Sequence, residues 1–206
     1  MCGRYYVNEE AWTRMREDFM ELPEVNPFMH FGDVTPAMPA VSLTAGQSDA
    51  NAVAAVAVTP LTWGFPGFDK NKLIINARAE GIEKKPTFAE SLLTRRCVLP
   101  ASGFYEWDRS KEKVTFTLTD EPVIYLAGIY RPYGPENRFV IITREANESM
   151  LPVHDRMPLM IRPRDVRDWL HDADRMRDIL QEPLPQLFDC FFTVGIYCGG
   201  NAHGGI

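Results

Sequence analysis

The chain has 206 residues, 45% hydrophobic and 24% charged, enough for one domain with a full core or for two small ones. Its net charge of −6 argues against a protein that coats itself in nucleic acid, because such affinity comes mostly from phosphate contacts, yet it leaves room for a local basic cleft. No apolar run reaches the roughly 18 residues of a membrane span and no apolar h-region opens the chain, so a cytosolic protein is expected. Cys2, Cys97, Cys190 and Cys198 are then expected to be reduced. None lies in a C-x-x-C pair and the His residues are scattered, which speaks against a structural zinc site; no cofactor is expected.

The first four residues, Met1-Cys2-Gly3-Arg4, carry the most specific chemistry. Removal of Met1 would put a free α-amine and a thiol on one residue. Their reference pKa values are about 8 and about 8.5, so both are nucleophilic near neutral pH. Such a 1,2-aminothiol captures an aldehyde as an imine and closes it to a five-membered thiazolidine. The competing reading is a frayed terminus with an arbitrary Cys.

Residues 8–22 read as a helix capped by Asn8, with Trp12, Met15, Phe19 and Leu22 on one stripe and Pro23 as the stop. Residues 26–40 hold three prolines and read as an ordered loop around Asp33-Val34-Thr35-Pro36-Ala37. Ala40–Leu43 and Val53–Val58 read as strands, the second central because it is apolar on both faces. Trp63-Gly64-Phe65-Pro66-Gly67-Phe68 is read as irregular: exposed, a stacking platform for bases; buried, a core plug. Leu73–Ile75 is a strand leading into Asn76-Ala77-Arg78-Ala79-Glu80, where Asn76 and Arg78 point to one side. Asn can orient a substrate oxygen and Arg a phosphate; the plain alternative is a turn with a surface salt bridge. Thr87-x-x-Glu90 reads as a capping box for a helix running to Thr94.

The stretch from Arg95 to Trp107 reads as strand, turn, strand, with Cys97 an inert core thiol. Alternation sets Glu106 on the face of Phe104. Pointing inward, its pKa would rise toward neutrality and suit a general acid or base; pointing outward, it is one solvated carboxylate. Val114–Leu118, Val123–Tyr130 and Arg138–Thr143 read as a meander, followed by helical turns at 144–150 and a strand at Met157–Ile161. His154, in His154-Asp155-Arg156-Met157-Pro158, is either an acid/base group or a hydrogen-bonded loop residue. Short helices at 163–171 and 175–181, a strand at Phe191–Val194 and a Gly-rich mobile tail finish the chain.

Five of these motifs occur in one order: Met1-Cys2-Gly3-Arg4, Trp63-Gly64, Asn76-Ala77-Arg78-Ala79-Glu80, Gly103-Phe104-Tyr105-Glu106-Trp107 and His154-Asp155-Arg156-Met157-Pro158. Together the sequence resembles the SOS response-associated peptidase (SRAP) family, from residue 2 to about 170. The resemblance implies an α+β fold, predominantly antiparallel β with a partly closed barrel-like core and flanking helices. It implies a single domain over 1–194 and a tail over 195–206. It also implies a monomer that is cytoplasmic and nucleoid-associated, with no cofactor and with abasic single-stranded DNA as partner. Cys2 would crosslink to the ring-opened aldehyde of an abasic site as a thiazolidine, after autocatalytic removal of Met1. Asn76 would position the terminus, Glu106 shuttle protons and His154 assist ring opening and reversal. Arg4, Arg78 and Arg156 match phosphate-gripping positions, Trp63 and Trp107 aromatic positions beside the lesion, and Pro36 and Thr143 the lining of the same cleft. The chain departs from the family at Asp33 and Thr35 and in its Gly-rich end. Competing functions are a thiol peptidase using Cys2 with His154, and a plain single-stranded DNA binder in which Cys2 is incidental.

Overall fold

An odd number of strands cannot close a barrel by antiparallel pairs alone; one joint has to be parallel, and in this protein that joint builds the site. The computed structural model describes residues 2–20, 22–23, 30–47, 54–69, 72–119 and 121–191, with backbone alone at 190 and 191. In chain order the elements are β1 (Tyr5–Val7), α1 (Glu9–Asp18), β2 (Gly32–Val34), β3 (Pro39–Ala45), β4 (Val56–Trp63), β5 (Phe65–Pro66), β6 (Leu73–Ile74) and β7 (Asn76–Arg78). Then come α2 (Ala89–Thr94), β8 (Arg96–Ala101), β9 (Gly103–Trp107), β10 (Lys113–Thr117), β11 (Ile124–Tyr133) and β12 (Glu136–Glu145). The last are β13 (Arg156–Pro158), β14 (Met160–Ile161), α3 (Val166–His171), α4 (Ala173–Ile179) and β15 (Phe188–Phe191). No helix among the described residues is long and apolar enough to cross a membrane.

Strands β4, β3, β8, β11 and β12 run round a closed barrel, as expected of the fold class. Four joints are antiparallel and the β12–β4 joint is parallel. Apolar aliphatic and aromatic side chains pack on both faces of its wall: Leu43, Leu61, Val98, Leu126, Ile129, Phe139 and Ile141 are each at most 1% exposed. A second sheet, ordered β15-β10-β9-β1-β2, stacks Phe104 on Phe116 at 5.4 Å between ring centres.

At the parallel joint β4 covers only part of β12. Thr62 and Trp63 lie beside Arg138 and Phe139; the chain then leaves at Gly64 and returns as β7, with Asn76 beside Ile141 and Arg78 beside Thr143. Gly64 makes this exit at φ +105°, a region that L side chains rarely adopt.

Several sequence expectations are corrected. The first helix ends at Asp18 rather than at Pro23, though Trp12, Met15, Phe19 and Leu22 are all buried, and Asn8 Oδ1 accepts the Ala11 N–H at 2.9 Å. The capping box does not form: Phe88 is the N-cap, and Glu90 pairs with Arg95 at 2.8 Å. Trp63 closes a strand and Phe65–Pro66 pairs with Leu73–Ile74, so that stretch is regular. The meander is broken, because β10 belongs to the second sheet, paired with β9 and β15. β12 runs on to Glu145 and turns follow where helix was expected. The strand expected at Met157–Ile161 divides, β13 pairing β12 and β14 pairing β11. The last strand lies at Phe188–Phe191; residues 192–194 of the expected strand and the tail 195–206 lie outside the described residues.

Candidate functional site

β1 pairs with β9 through Tyr5↔Phe104, and the Tyr105 N–H donates to the Arg4 carbonyl at 2.9 Å. The pairing therefore continues past Tyr5 and draws Gly3 and Cys2 alongside Glu106 and Trp107. Cys2 is 1% exposed. Its carbonyl accepts a hydrogen bond from Asn76 Nδ2 at 3.0 Å, and its thiol points at the Arg4 carbonyl, 3.9 Å away. The terminus is thus held between the second sheet, through β1, and the barrel seam, through β7.

Alternation along β9 turns Phe104 and Glu106 inward, at 0% and 5% exposure. The Cys2 thiol is pushed up to about 12, first by its burial and then by the negative charge of Glu106. At neutral pH the thiol is therefore protonated. Tyr5, fully buried, has its phenol pushed well above the ordinary range by burial first, then by Cys2 and Cys97. The Tyr5 hydroxyl and Asn76 Oδ1 have no hydrogen-bond partner among the described residues. Tyr5 was missed in the sequence; its position three residues after Cys2, on the inward register of a strand, was the available signal.

Trp63 is fully buried. Its indole N–H donates to the Ile75 carbonyl at 3.0 Å, closing the neck of the 64–75 excursion just before Asn76. Its ring lies 5.4 Å from Tyr5 and 5.9 Å from Phe139. The stacking platform expected of Trp63 is corrected: the residue is the core plug, with no face open to a base.

Across β12 from Asn76 sits a polar cluster. Arg156 is 8% exposed. Its Nη1 and Nη2 donate to Glu80 Oε1 and Oε2 at 2.9 and 2.7 Å, and Nη2 also donates to the Thr143 carbonyl at 2.7 Å. The phosphate-gripping assignment of Arg156 is corrected accordingly: its guanidinium is occupied by a carboxylate of its own chain. Thr143 is fully buried, and its Oγ1 has no hydrogen-bond partner among the described residues. His154 Nδ1 accepts the Arg156 backbone N–H at 2.9 Å, which puts the proton of the neutral ring on Nε2. Asp155 Oδ1 lies 2.9 Å from the same Nδ1; that contact becomes a hydrogen bond only when Nδ1 is protonated and the Arg156 bond is given up.

The rim is more open. Arg4 stands 5.8 Å from the centre of the Trp107 ring, which is 41% exposed, and its Nη1 lies 3.4 Å from Asp33. Arg78 is exposed, and no hydrogen bond or ion pair occupies it among the described residues. Pro36 is half-buried in a turn in which the Met38 N–H donates to the Thr35 carbonyl at 3.1 Å. Ala37 follows at φ +71°, a strained angle for a residue with a Cβ. A cavity of about 600 Å³ lies elsewhere, between β11, β14 and the 182–186 segment; it contains no thiol, and its Arg162 is paired with Asp165 and Glu182.

A family model, SOS response associated peptidase (SRAP), matches residues 1–191. The chain belongs to the SRAP family. Among its relatives, Abasic site processing protein YoqW of Bacillus subtilis is 30% identical over 198 residues, covering 89% of this chain and 86% of the relative. YoaM of the same organism, also named an abasic site processing protein, is 31% identical over 201 residues, covering 89% of this chain and 85% of the relative. A solved structure from Bordetella bronchiseptica superposes with a TM-score of 0.74 at 22% identity, covering 94% of this chain and all of that one, and so shares the fold.

In this SRAP chain the structure brings Cys2, Asn76 and Glu106 to one place, with Tyr5 beneath them. His154 and Thr143 stand on the β12–β13 flank of the same seam, where His154 bonds to its own loop rather than to the Cys2 cluster. Arg4, Trp107, Arg78 and Pro36 lie on the rim, whereas Trp63 lies in the core. No group of three or more His, Cys, Asp or Glu able to hold a metal occurs among the described residues.

Proposed function

We propose that this SRAP protein binds single-stranded DNA and crosslinks covalently to abasic sites through Cys2. One observation carries the reading: an N-terminal cysteine is buried beside a buried carboxylate, with its carbonyl pinned by Asn76. A structural thiol needs no such seat. The names of the relatives, abasic site processing proteins, support the same reading.

Removal of Met1 comes first, by hydrolysis of the Met1–Cys2 amide, with Glu106 the group placed to carry the proton; this is the peptidase step. The Cys2 amine then adds to the C1′ aldehyde of the ring-opened sugar, and loss of water gives the imine. The thiol adds to the imine carbon: an S–C bond forms, the S–H proton passes by way of Glu106 to nitrogen, and the thiazolidine closes. A thiol held near 12 is a weak nucleophile on its own. The order amine first, thiol second, follows from that. Asn76 Oδ1, lacking a partner, is placed to accept from the new α-amine. His154, with its proton on Nε2, is a donor for the sugar oxygen in ring opening. Arg4 and Arg78 take flanking phosphates, and Trp107 takes a base edge or face. The protein acts as a monomer where the DNA lies, at the nucleoid. A thiol peptidase acting on other chains would need His154 to make a Cys2 thiolate, and His154 is bonded within its own loop.

Intact-mass spectrometry tests the proposal. Loss of one Met, then a mass gain by one abasic oligonucleotide less one water, stable to denaturation, is expected. Adduct formation by a Cys2→Ala protein at the wild-type rate would sink it.

A further inference from the structure

Glu80 and Arg156 are 76 residues apart in sequence and meet over β12. On one side of β12, at Thr143, lies β7 with Asn76; on the other lies β13, which starts at Arg156. The Thr143 carbonyl accepts from both flanks, from the Ala79 N–H at 2.9 Å and from Arg156 Nη2 at 2.7 Å. The bidentate pair then ties the chain just after β7 to the first residue of β13. That same residue, through its backbone N–H, holds His154 Nδ1.

We propose that Glu80 is a positioning residue, whose ion pair with Arg156 fixes the His154 loop against the Asn76 strand and keeps His154 in the Nε2–H form. A guanidinium only 10% exposed at its side chain needs its donors and its charge met, and here the Glu80 carboxylate meets both. The Glu80 carboxyl is held down to about 2, chiefly by its hydrogen bond from Arg156, so the pair is complete throughout the working pH range. Without Glu80 the guanidinium swings toward water, the start of β13 loosens, and the Arg156 N–H no longer selects which His154 nitrogen carries the proton. The consequence for reaction rate rests on the crosslinking reading above; the consequence for His154 does not.

The test compares wild type, Glu80→Gln and Glu80→Asp. Three quantities are read: the ¹⁵N shifts of the neutral His154 ring, the rate of adduct formation with an abasic oligonucleotide, and affinity for the same strand without a lesion. In Glu80→Gln the two ring nitrogens should move toward a tautomer average, and the adduct rate should fall by on the order of ten- to a hundredfold. Affinity for intact DNA should hold or rise, because Arg156 has been released. Glu80→Asp should recover part of both losses, and carries the same readouts if Glu80→Gln does not fold. Wild-type ring shifts in Glu80→Gln overturn the proposal, whatever happens to the rate. If wild type itself forms no adduct, the crosslinking reading falls, and the ring shifts alone still decide the role of Glu80.

Discussion

Two arginines are sunk in the walls of this barrel, and they are held in different ways. Arg96 donates to four carbonyls, those of Leu92 and Leu93 at 2.8 and 2.7 Å, of Leu170 at 3.1 Å, and of Trp169. These are the C-terminal carbonyls of α2 and α3, which point their partial negative charge at one guanidinium. Arg156 instead meets a carboxylate, and its Nε has no hydrogen-bond partner among the described residues. Around it and across the seam Thr143 Oγ1, Asn76 Oδ1 and the Tyr5 hydroxyl are in the same condition. Buried polar atoms are normally satisfied, so a region that leaves several unmet is one shaped for something besides stability. The Arg96 junction is architecture, whereas the seam keeps several buried polar atoms unmet.

The comparison can be broken at either end. The largest effect is expected from Arg96→Met, which strands four carbonyls and two helix ends: a loss of about 3–5 kcal/mol in urea unfolding, with adduct rate per folded molecule unchanged. A loss under about 1 kcal/mol would show that the junction is not architectural. Glu106→Gln should slow adduct formation by on the order of a hundredfold while unmodified DNA still binds, because only proton transfer is removed. A wild-type rate would return Glu106 to the status of a buried bystander.

Cys2 offers a sharper measurement. Its thiol is raised from an ordinary 9.0 to about 12, so the folded state keeps a proton that the unfolded state releases. Stability should therefore fall as pH climbs from about 9 toward 12, and is unaffected by this group below that window. Alkylation of Cys2, followed by peptide mass, should be slow near neutral pH in the Met1-bearing folded chain and should accelerate only on strong alkalinisation. In urea it should proceed at the ordinary thiol range. Equal rates in both states would mean that the seat is open. The smallest effect belongs to Thr143→Val: removing an unmet hydroxyl should raise stability by about 1 kcal/mol while slowing the adduct, if that oxygen serves DNA. A drop in stability would instead place a bound water on it.

Much of this was legible in the sequence, for local reasons. Period-two alternation sent Glu106 inward with Phe104, and helical spacing put Trp12, Met15, Phe19 and Leu22 on one buried stripe. What stayed hidden depended on partners far along the chain. Nothing local tells that Glu80 claims Arg156, or that Arg96 serves the ends of two helices. For Trp63 the sequence left platform and core plug open, and the parallel joint with β12, a pairing of distant strands, decides for the plug. The capping box failed because Thr87 falls one residue ahead of the N-cap that forms. Residue by residue Asn76 and Cys2 are separate motifs that the family resemblance linked, and the return of the chain as β7 is what brings them into contact.

The detour between Gly64 and Ile75 has its own implication. Its two ends are pinned to β12 by the Gly64 N–H to the Phe139 carbonyl at 2.8 Å and by the Ile75 carbonyl, which accepts the Ile141 N–H at 3.1 Å. The span between them is therefore tied to β12 at both ends before the chain reaches Asn76. Lengthening it should cost only about 0.6 kcal/mol for each doubling, so a reporter peptide or a recognition segment spliced in near the fully exposed Phe68 should ride on the protein without disturbing the terminus it guards.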